Sequence, residues 1–281
     1  MQHFSGKRLV GAASWYLRRR KLHLTAVATA IRSSIHAAKP DHIACTGDIV
    51  NIAGWNEFPP AAKWLQELGS PEQVSFTPGN HDAYVHVPWE NGLGYFETYM
   101  RGDGRGISAA SPFPFVRLRR NIALIGLNSG VPQLYWKAGG AVDDQQMSIL
   151  EQQLSTFGAK GFYRVVMIHH PPLPNLAPDR KSLQNAAQLQ ALLQQTGCEL
   201  VLHGHNHRSM LNWLETKTGP CAVVGVASAS MRGDADHEPA GWNIYRITRA
   251  QGHWQTEITR FHYEAETSTF KMRDSALLLP A

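Results

Sequence analysis

The sequence predicts an α/β protein. Short apolar and β-branched runs alternate with helical patterns along most of the chain. No period of 20–50 residues repeats, and no low-complexity linker divides the chain. Polar clusters fall at the ends of four predicted buried strands, the place where ligand sites gather in α/β folds. The composition agrees. With 281 residues, 43% apolar and 17% charged, the chain can bury a sizeable core and is neither disordered nor collagen-like.

Each element has its own signal. Leu24, Val27, Ala28, Ile31 and Ile35 recur at helical spacing and predict an amphipathic core helix. The basic run before them superficially imitates a secretory leader, but the helical reading explains the apolar positions better. Residues 42–47 read as a buried strand running into a loop. Residues 55–68 read as a helix, with Trp55, Phe58, Ala62, Leu65 and Leu68 on one face and Gly69 as its stop. A strand at 73–77 ends at Pro78-Gly79. Residues 115–119 and 122–128 predict a hairpin turning near Arg120-Asn121. A helix at 144–157, a strand at 164–168, a helix at 185–195 and a strand at 199–202 follow, then strands at 222–227, 242–247 and 254–259, the last two paired. Beyond residue 264 the pattern fades. The expected organisation is one domain over 1–264 and a C-terminal tail over 265–281.

Charge is uneven. The formal net charge is +5, yet the first forty residues hold eight Lys or Arg and no Asp or Glu. Nucleic-acid binding is not the expected reading, because no interleaving of basic and aromatic residues continues downstream. The three cysteines, Cys45, Cys198 and Cys221, have no framework spacing, which suits a reducing, cytoplasmic setting. No apolar run approaches the roughly 18–20 residues that span a bilayer, so no membrane partner is expected.

The chemistry lies in four motifs. They are Gly47-Asp48 with Asn51, Gly79-Asn80-His81-Asp82, His169-His170-Pro171 and Gly204-His205-Asn206-His207. Imidazole is the commonest neutral metal ligand, and a carboxylate and an amide add oxygen donors. His203, His205 and His207 would share a face if their strand continued, but Gly204 is expected to open a loop that presents His205 and His207. Any one motif is weak. Four in this order, each at a strand end, predict a metal site.

These motifs together resemble the calcineurin-like metallophosphoesterase superfamily, over residues 5–262 or so. The branch they most resemble contains bacterial cyclic-nucleotide phosphodiesterases. The resemblance implies a four-layer αββα sandwich of two mixed sheets, with ligands on loops at one edge. It implies hydrolysis of phosphodiester or phosphomonoester bonds at a dinuclear centre of divalent Fe, Mn, Zn or Co, with a small phosphoester, a cyclic nucleotide among the candidates, as substrate. Two such metals about 3.5–4 Å apart share a bridging carboxylate. By that resemblance Asp48 is the bridge. Asn80, His169 and His205 complete one metal's ligands, His207 belongs to the other, and His81 is catalytic, assisting the leaving oxygen. His169 is preferred to His170 because the family's ligand stands two residues before the proline. Asp82 is a candidate for orienting His81.

One family motif is missing. The family opens with D-x-H at the end of its first strand, which supplies an Asp and a His to the first metal. No D-x-H occurs in this chain. Residues 5–21 resemble the segment that follows that motif, so a first strand of roughly 15–25 residues with its loop is expected to be absent. The expectation is therefore one tightly held metal and one weak or absent. A degenerate member that binds metal or a partner without turnover is the alternative. The loop over residues 83–111, rich in glycine and aromatics, is either a cap over the site or surface packing.

Overall fold

The computed structural model describes residues 6–17, 19–103, 113–134 and 136–280. Part of the 83–111 loop, residues 104–111, therefore lies outside the described residues.

The largest sheet has six strands in the order β3-β4-β5-β6-β8-β7. They are β3 (Phe115–Arg119), β4 (Ile122–Gly126), β5 (Tyr163–Met167), β6 (Leu200–His203), β7 (Met210–Thr216) and β8 (Gly219–Gly225). β4, β5, β6 and β8 run parallel, while β3 and β7 are antiparallel edges. Every residue of β5 and β6 is buried, which is why both read as continuous apolar runs rather than alternating ones. The β3–β4 hairpin turns at Arg120, which takes a positive φ of 52°.

Helices α4 (Asp144–Ala159) and α5 (Ala186–Thr196) cover the outer face of this sheet. Leu150, Leu154, Leu189 and Leu193 pack there on Val166, Ile168, Val201 and Val223. Asp143 caps α4 by accepting the backbone N–H of Gln146 at 2.8 Å.

The inner face carries two smaller sheets. β1 (Ile43–Cys45) and β2 (Val74–Phe76) are parallel, and β9 (Gly241–Ala250), β10 (His253–Glu264) and β11 (Thr269–Leu277) form an antiparallel meander. Ala44, Tyr245, Ile247 and Ile258 meet Leu124, Val165, Met167 and Leu202 between the layers. Helices α2 (Thr25–Ala38) and α3 (Phe58–Leu68) close the other side. α2 is bonded to β9 and to α3: Trp242 Nε1 donates to Ser34 Oγ at 3.2 Å, and Trp64 Nε1 to the Ala28 carbonyl at 3.3 Å. Val27 and Ile31 are buried, so the amphipathic-helix reading of this segment holds.

The four layers match the expected αββα order. The second β layer differs, being two sheets rather than one. Among the described residues neither β1 nor β9 pairs along its other edge, and β1 is only half-buried where β2 is fully buried.

Two strands escaped the sequence reading. Residues 269–277, within the expected tail, are strand β11. Among the described residues it pairs only with β10, and it is mostly exposed, so it has no apolar alternation to reveal it. β7 is half-exposed, and its Met-Leu-Asn-Trp-Leu order follows no period of two.

At the end of the six-stranded sheet where β5 and β6 begin, Arg164 is 2% exposed. Its guanidinium forks onto Glu199 at 2.6 and 3.1 Å and also donates to the Leu154 and Thr196 carbonyls. Removing the acid strands a buried cation. Glu199→Ala is expected to cost about 3 kcal/mol of stability, read by urea denaturation, with activity per folded molecule unchanged.

Candidate metal centre

The parallel strands β1, β2, β5 and β6 all deliver their carboxyl ends to one place. Asp48 follows β1, Asn80 and His81 follow β2, His169 follows β5, and His205 follows β6.

The first two loops touch because glycines let them. A Cβ on Gly79 would lie 2.1 Å from Asp48 Oδ1, and one on Gly47 (φ 98°) would lie 2.6 Å from the Gly79 nitrogen. Asp82 then ties the loops together. Its Oδ2 accepts the N–H groups of Asp48 (2.7 Å) and Gly79 (2.8 Å), and its Oδ1 those of Ile49 (3.0 Å) and Val50 (3.1 Å). Burial and the Asp48 charge push the Asp82 carboxyl up to about 7, against the pull of these N–H groups. The role suggested for Asp82, orienting His81, is performed by another group: His81 Nδ1 meets the Asn51 carbonyl.

His169 is the centre of the cluster. Its Nδ1 donates to the Thr46 carbonyl at 2.7 Å, the partner that commonly fixes a ligating histidine's ring. That bond leaves Nε2 with a lone pair. Nε2 lies 3.1 Å from Asp48 Oδ2, 3.2 Å from Asn80 Oδ1 and 3.3 Å from His205 Nδ1. Asn80 Oδ1 is also 2.9 Å from His205 Nδ1. His205 Nε2 is buried with no hydrogen-bond partner.

Donor atoms packed this closely in a buried site favour a positive charge among them. Burial opposes protonation, but the Asp48 charge and hydrogen bond outweigh burial and raise His169 above the usual histidine range. Asp48 is held well below the carboxylate range. Burial opposes this too, and His169 and His81 overcome it. His205 goes the other way, lowered by burial and then by the neighbouring His169 charge. A divalent cation would satisfy these donors better than one proton. Two oxygens and two imidazoles are a donor set suited to such an ion.

The ring nitrogens of His169, His170 and His205 also lie within 4.8 Å of one another. His170 is nevertheless spent. Its Nε2 donates to the Ala138 carbonyl at 3.2 Å and its Nδ1 pairs with Ser129 Oγ at 2.8 Å. Burial and the His169 charge push it down to about 3.

The loop after β6 is as expected. His203 stays in the strand, fully buried, while His205 (φ 66°) and His207 (φ 54°) turn out through left-handed backbone. His207 does not join the tight cluster. Its ring stands edge-on to His23 at 5.6 Å, and burial pushes it down to about 4 although Asp48 pulls upward. His23 was not singled out in the sequence. It precedes α2, stacks near Trp15 and pairs with Ser230 Oγ at 2.8 Å. No spacing signal marks it, because it reaches His207 only through the fold.

With this geometry in view, comparison with known proteins is direct. A family model described as calcineurin-like phosphoesterase matches residues 21–209, and the chain belongs to that family. A dimetal phosphatase from Danio rerio shares the fold at 14% identity, with 89% of this chain and 88% of that chain covered and a TM-score of 0.57. A novel phosphatase from Mycoplasma pneumoniae aligns at 13% identity over 90% and 89% of the two chains, with a TM-score of 0.41. A sulfate thiohydrolase from Thermus thermophilus, in complex with glycerol, aligns at 13% identity over 91% of this chain and 42% of that one, with a TM-score of 0.46. No curated protein matches the chain. No described helix is long and apolar enough to cross a membrane.

Asp82→Asn sets an amide NH2 against backbone donors. It is expected to weaken metal binding by about tenfold or more, measured by calorimetric titration of the metal-free protein with manganese.

Proposed function

We propose that the chain hydrolyses phosphoesters, diesters in preference to monoesters, with Asp48, Asn80, His169 and His205 holding one divalent metal tightly. The observation that carries this reading is the convergence of the other three donor groups within 3.3 Å of His169 Nε2. Asp48 would also serve a second, weaker position, for which His207 would be the other ligand among the described residues. The motif order, which most resembles the cyclic-nucleotide phosphodiesterases, supports the diester preference and makes a small cyclic nucleotide a candidate substrate.

Metals bound there supply charge for the phosphoryl group and activate water for in-line attack. The remaining steps belong to the protein. His81 stands beside the metal ligands, with its backbone N–H on Asp48 Oδ1 at 2.8 Å. The Asn51 carbonyl accepts a hydrogen bond from Nδ1–H. That fixes the ring, and in the doubly protonated imidazolium form Nε2–H is the proton donor to the departing oxygen, the work of a general acid. The backbone bond to Asp48 ties His81 to the metal ligand itself, so acid and metal site share one frame.

His81→Ala is expected to keep its metal content by elemental analysis and to lose about 10²–10⁴ in kcat. The assay is a panel of mono- and diesters with several metals. Loss of metal in this variant would overturn the catalytic role. Metal bound by the wild type without turnover of any ester would favour the binding-only alternative.

A further inference from the structure

Helix α1 (Gly6–Leu17) is turned the wrong way for hydrophobic docking. Its buried residues are Lys7, Arg8 and Gly11, while Leu9, Val10 and Leu17 are 53%, 59% and 69% exposed. Burying a cation is costly unless its hydrogen bonds are met. A helix held only by apolar burial would rotate its leucines inward. Specific polar contacts must therefore hold α1 in this orientation.

Those contacts go to the two loops that hold His81 and to Gln133 in the loop after β4. Lys7 Nζ donates to the Tyr84 and Gln133 carbonyls, both at 2.8 Å, and lies 4.3 Å from the centre of the Tyr84 ring. The Tyr84 hydroxyl donates back to the Lys7 carbonyl at 3.3 Å. Arg8 donates to the Ala53 carbonyl at 2.6 Å, in the loop whose Asn51 carbonyl meets His81. Gly11 allows the close approach, since a Cβ there would lie 2.7 Å from Ile52 and 2.9 Å from the Tyr84 hydroxyl. The Tyr84 ring in turn lies parallel to the His81 imidazole, 3° from coplanar in orientation with centroids 5.8 Å apart.

We infer that Tyr84, backed by Lys7 of α1, is a positioning residue that holds the His81 ring at the angle from which it protonates the leaving group. This rests on the catalytic reading of His81. The chain of contact runs from α1 through Lys7 and Tyr84 to His81. The Asn51 carbonyl restrains one ring nitrogen and the Tyr84 face restrains the ring plane, so two constraints fix one proton donor. Orientation of this kind is worth rate, because proton transfer falls off quickly as the donor leaves hydrogen-bond geometry.

A positioning role differs from a structural one in its dependence on the leaving group. A p-nitrophenolate departs without needing a proton, whereas a simple alkoxide needs one. The full chain, loaded with manganese, is assayed on two phosphoesters that differ only in that group. Tyr84→Leu is expected to lower kcat on the alkyl ester by about tenfold or more and to leave the p-nitrophenyl ester within about twofold. KM and metal content should hold. Tyr84→Phe keeps the ring and should restore most of the loss. Lys7→Met should shift kcat in the same selective direction, and it carries the test if Tyr84→Leu does not fold. Equal losses on both esters, or no loss on the alkyl ester, would overturn the inference. His81→Ala, run alongside, separates the failures. If it spares both esters, the catalytic reading of His81 falls and the inference with it. If it selectively loses the alkyl ester while Tyr84→Leu and Lys7→Met do not, only the stacking inference falls.

Discussion

Asp82 accepts four backbone N–H bonds from the two loops that follow β1 and β2. Neither β1 nor β2 is longer than three residues, so strand pairing alone places their loops loosely. The carboxylate converts that loose pairing into a fixed geometry, and two glycines clear the space for it. Asp48 and Asn80 are thereby set at a constant separation. His169 and His205 come from the other sheet, where β5 and β6 are fully buried and rigid. The metal centre is thus a joint between two layers, and Asp82 fixes one side of that joint.

The electrostatics of the cluster follow from its crowding. Each donor faces another donor, and burial removes the water that would soften the repulsion. In the protein alone the Asp48 charge raises the proton affinity of His169. A divalent ion held there would bring more charge to the same groups. The neighbouring His170 shows the opposite design. Both of its ring nitrogens are committed to Ser129 and Ala138, so on the proposed reading it forms the wall of the cluster.

Much of this was legible in the sequence because each motif sits where a strand ends, and strand ends in parallel sheets converge. The α/β class and the helix and strand order from residue 24 to 259, β7 excepted, follow from apolar patterning, and the strand-end regularity marks the four motifs, while the ligand roles within them come from the family resemblance. His169 over His170 is different. The preference came from family resemblance, and the structure gives its physical reason only through hydrogen bonds to residues 129 and 138, which no local spacing could reveal. The position of His207 against His23 was illegible for the same reason, since the two residues are far apart in sequence. Strand β11 was missed because its one-sided pairing leaves most of it exposed, with no apolar pattern. Two of the eight basic residues in the first forty, Lys7 and Arg8, are buried against carbonyls, and buried cations of that kind leave no mark in composition.

The central claim is that four particular side chains, and not the three-histidine cluster beside them, hold the tight metal. Anomalous diffraction from crystals soaked in manganese tests it most directly. The account predicts a strong peak within about 2.0–2.3 Å of donor atoms from Asp48, Asn80, His169 and His205, with His170 still bonded to Ser129 and Ala138. A peak coordinated by His169, His170 and His205 without Asp48 and Asn80 would contradict it, as would a fully soaked crystal with no peak at the cluster.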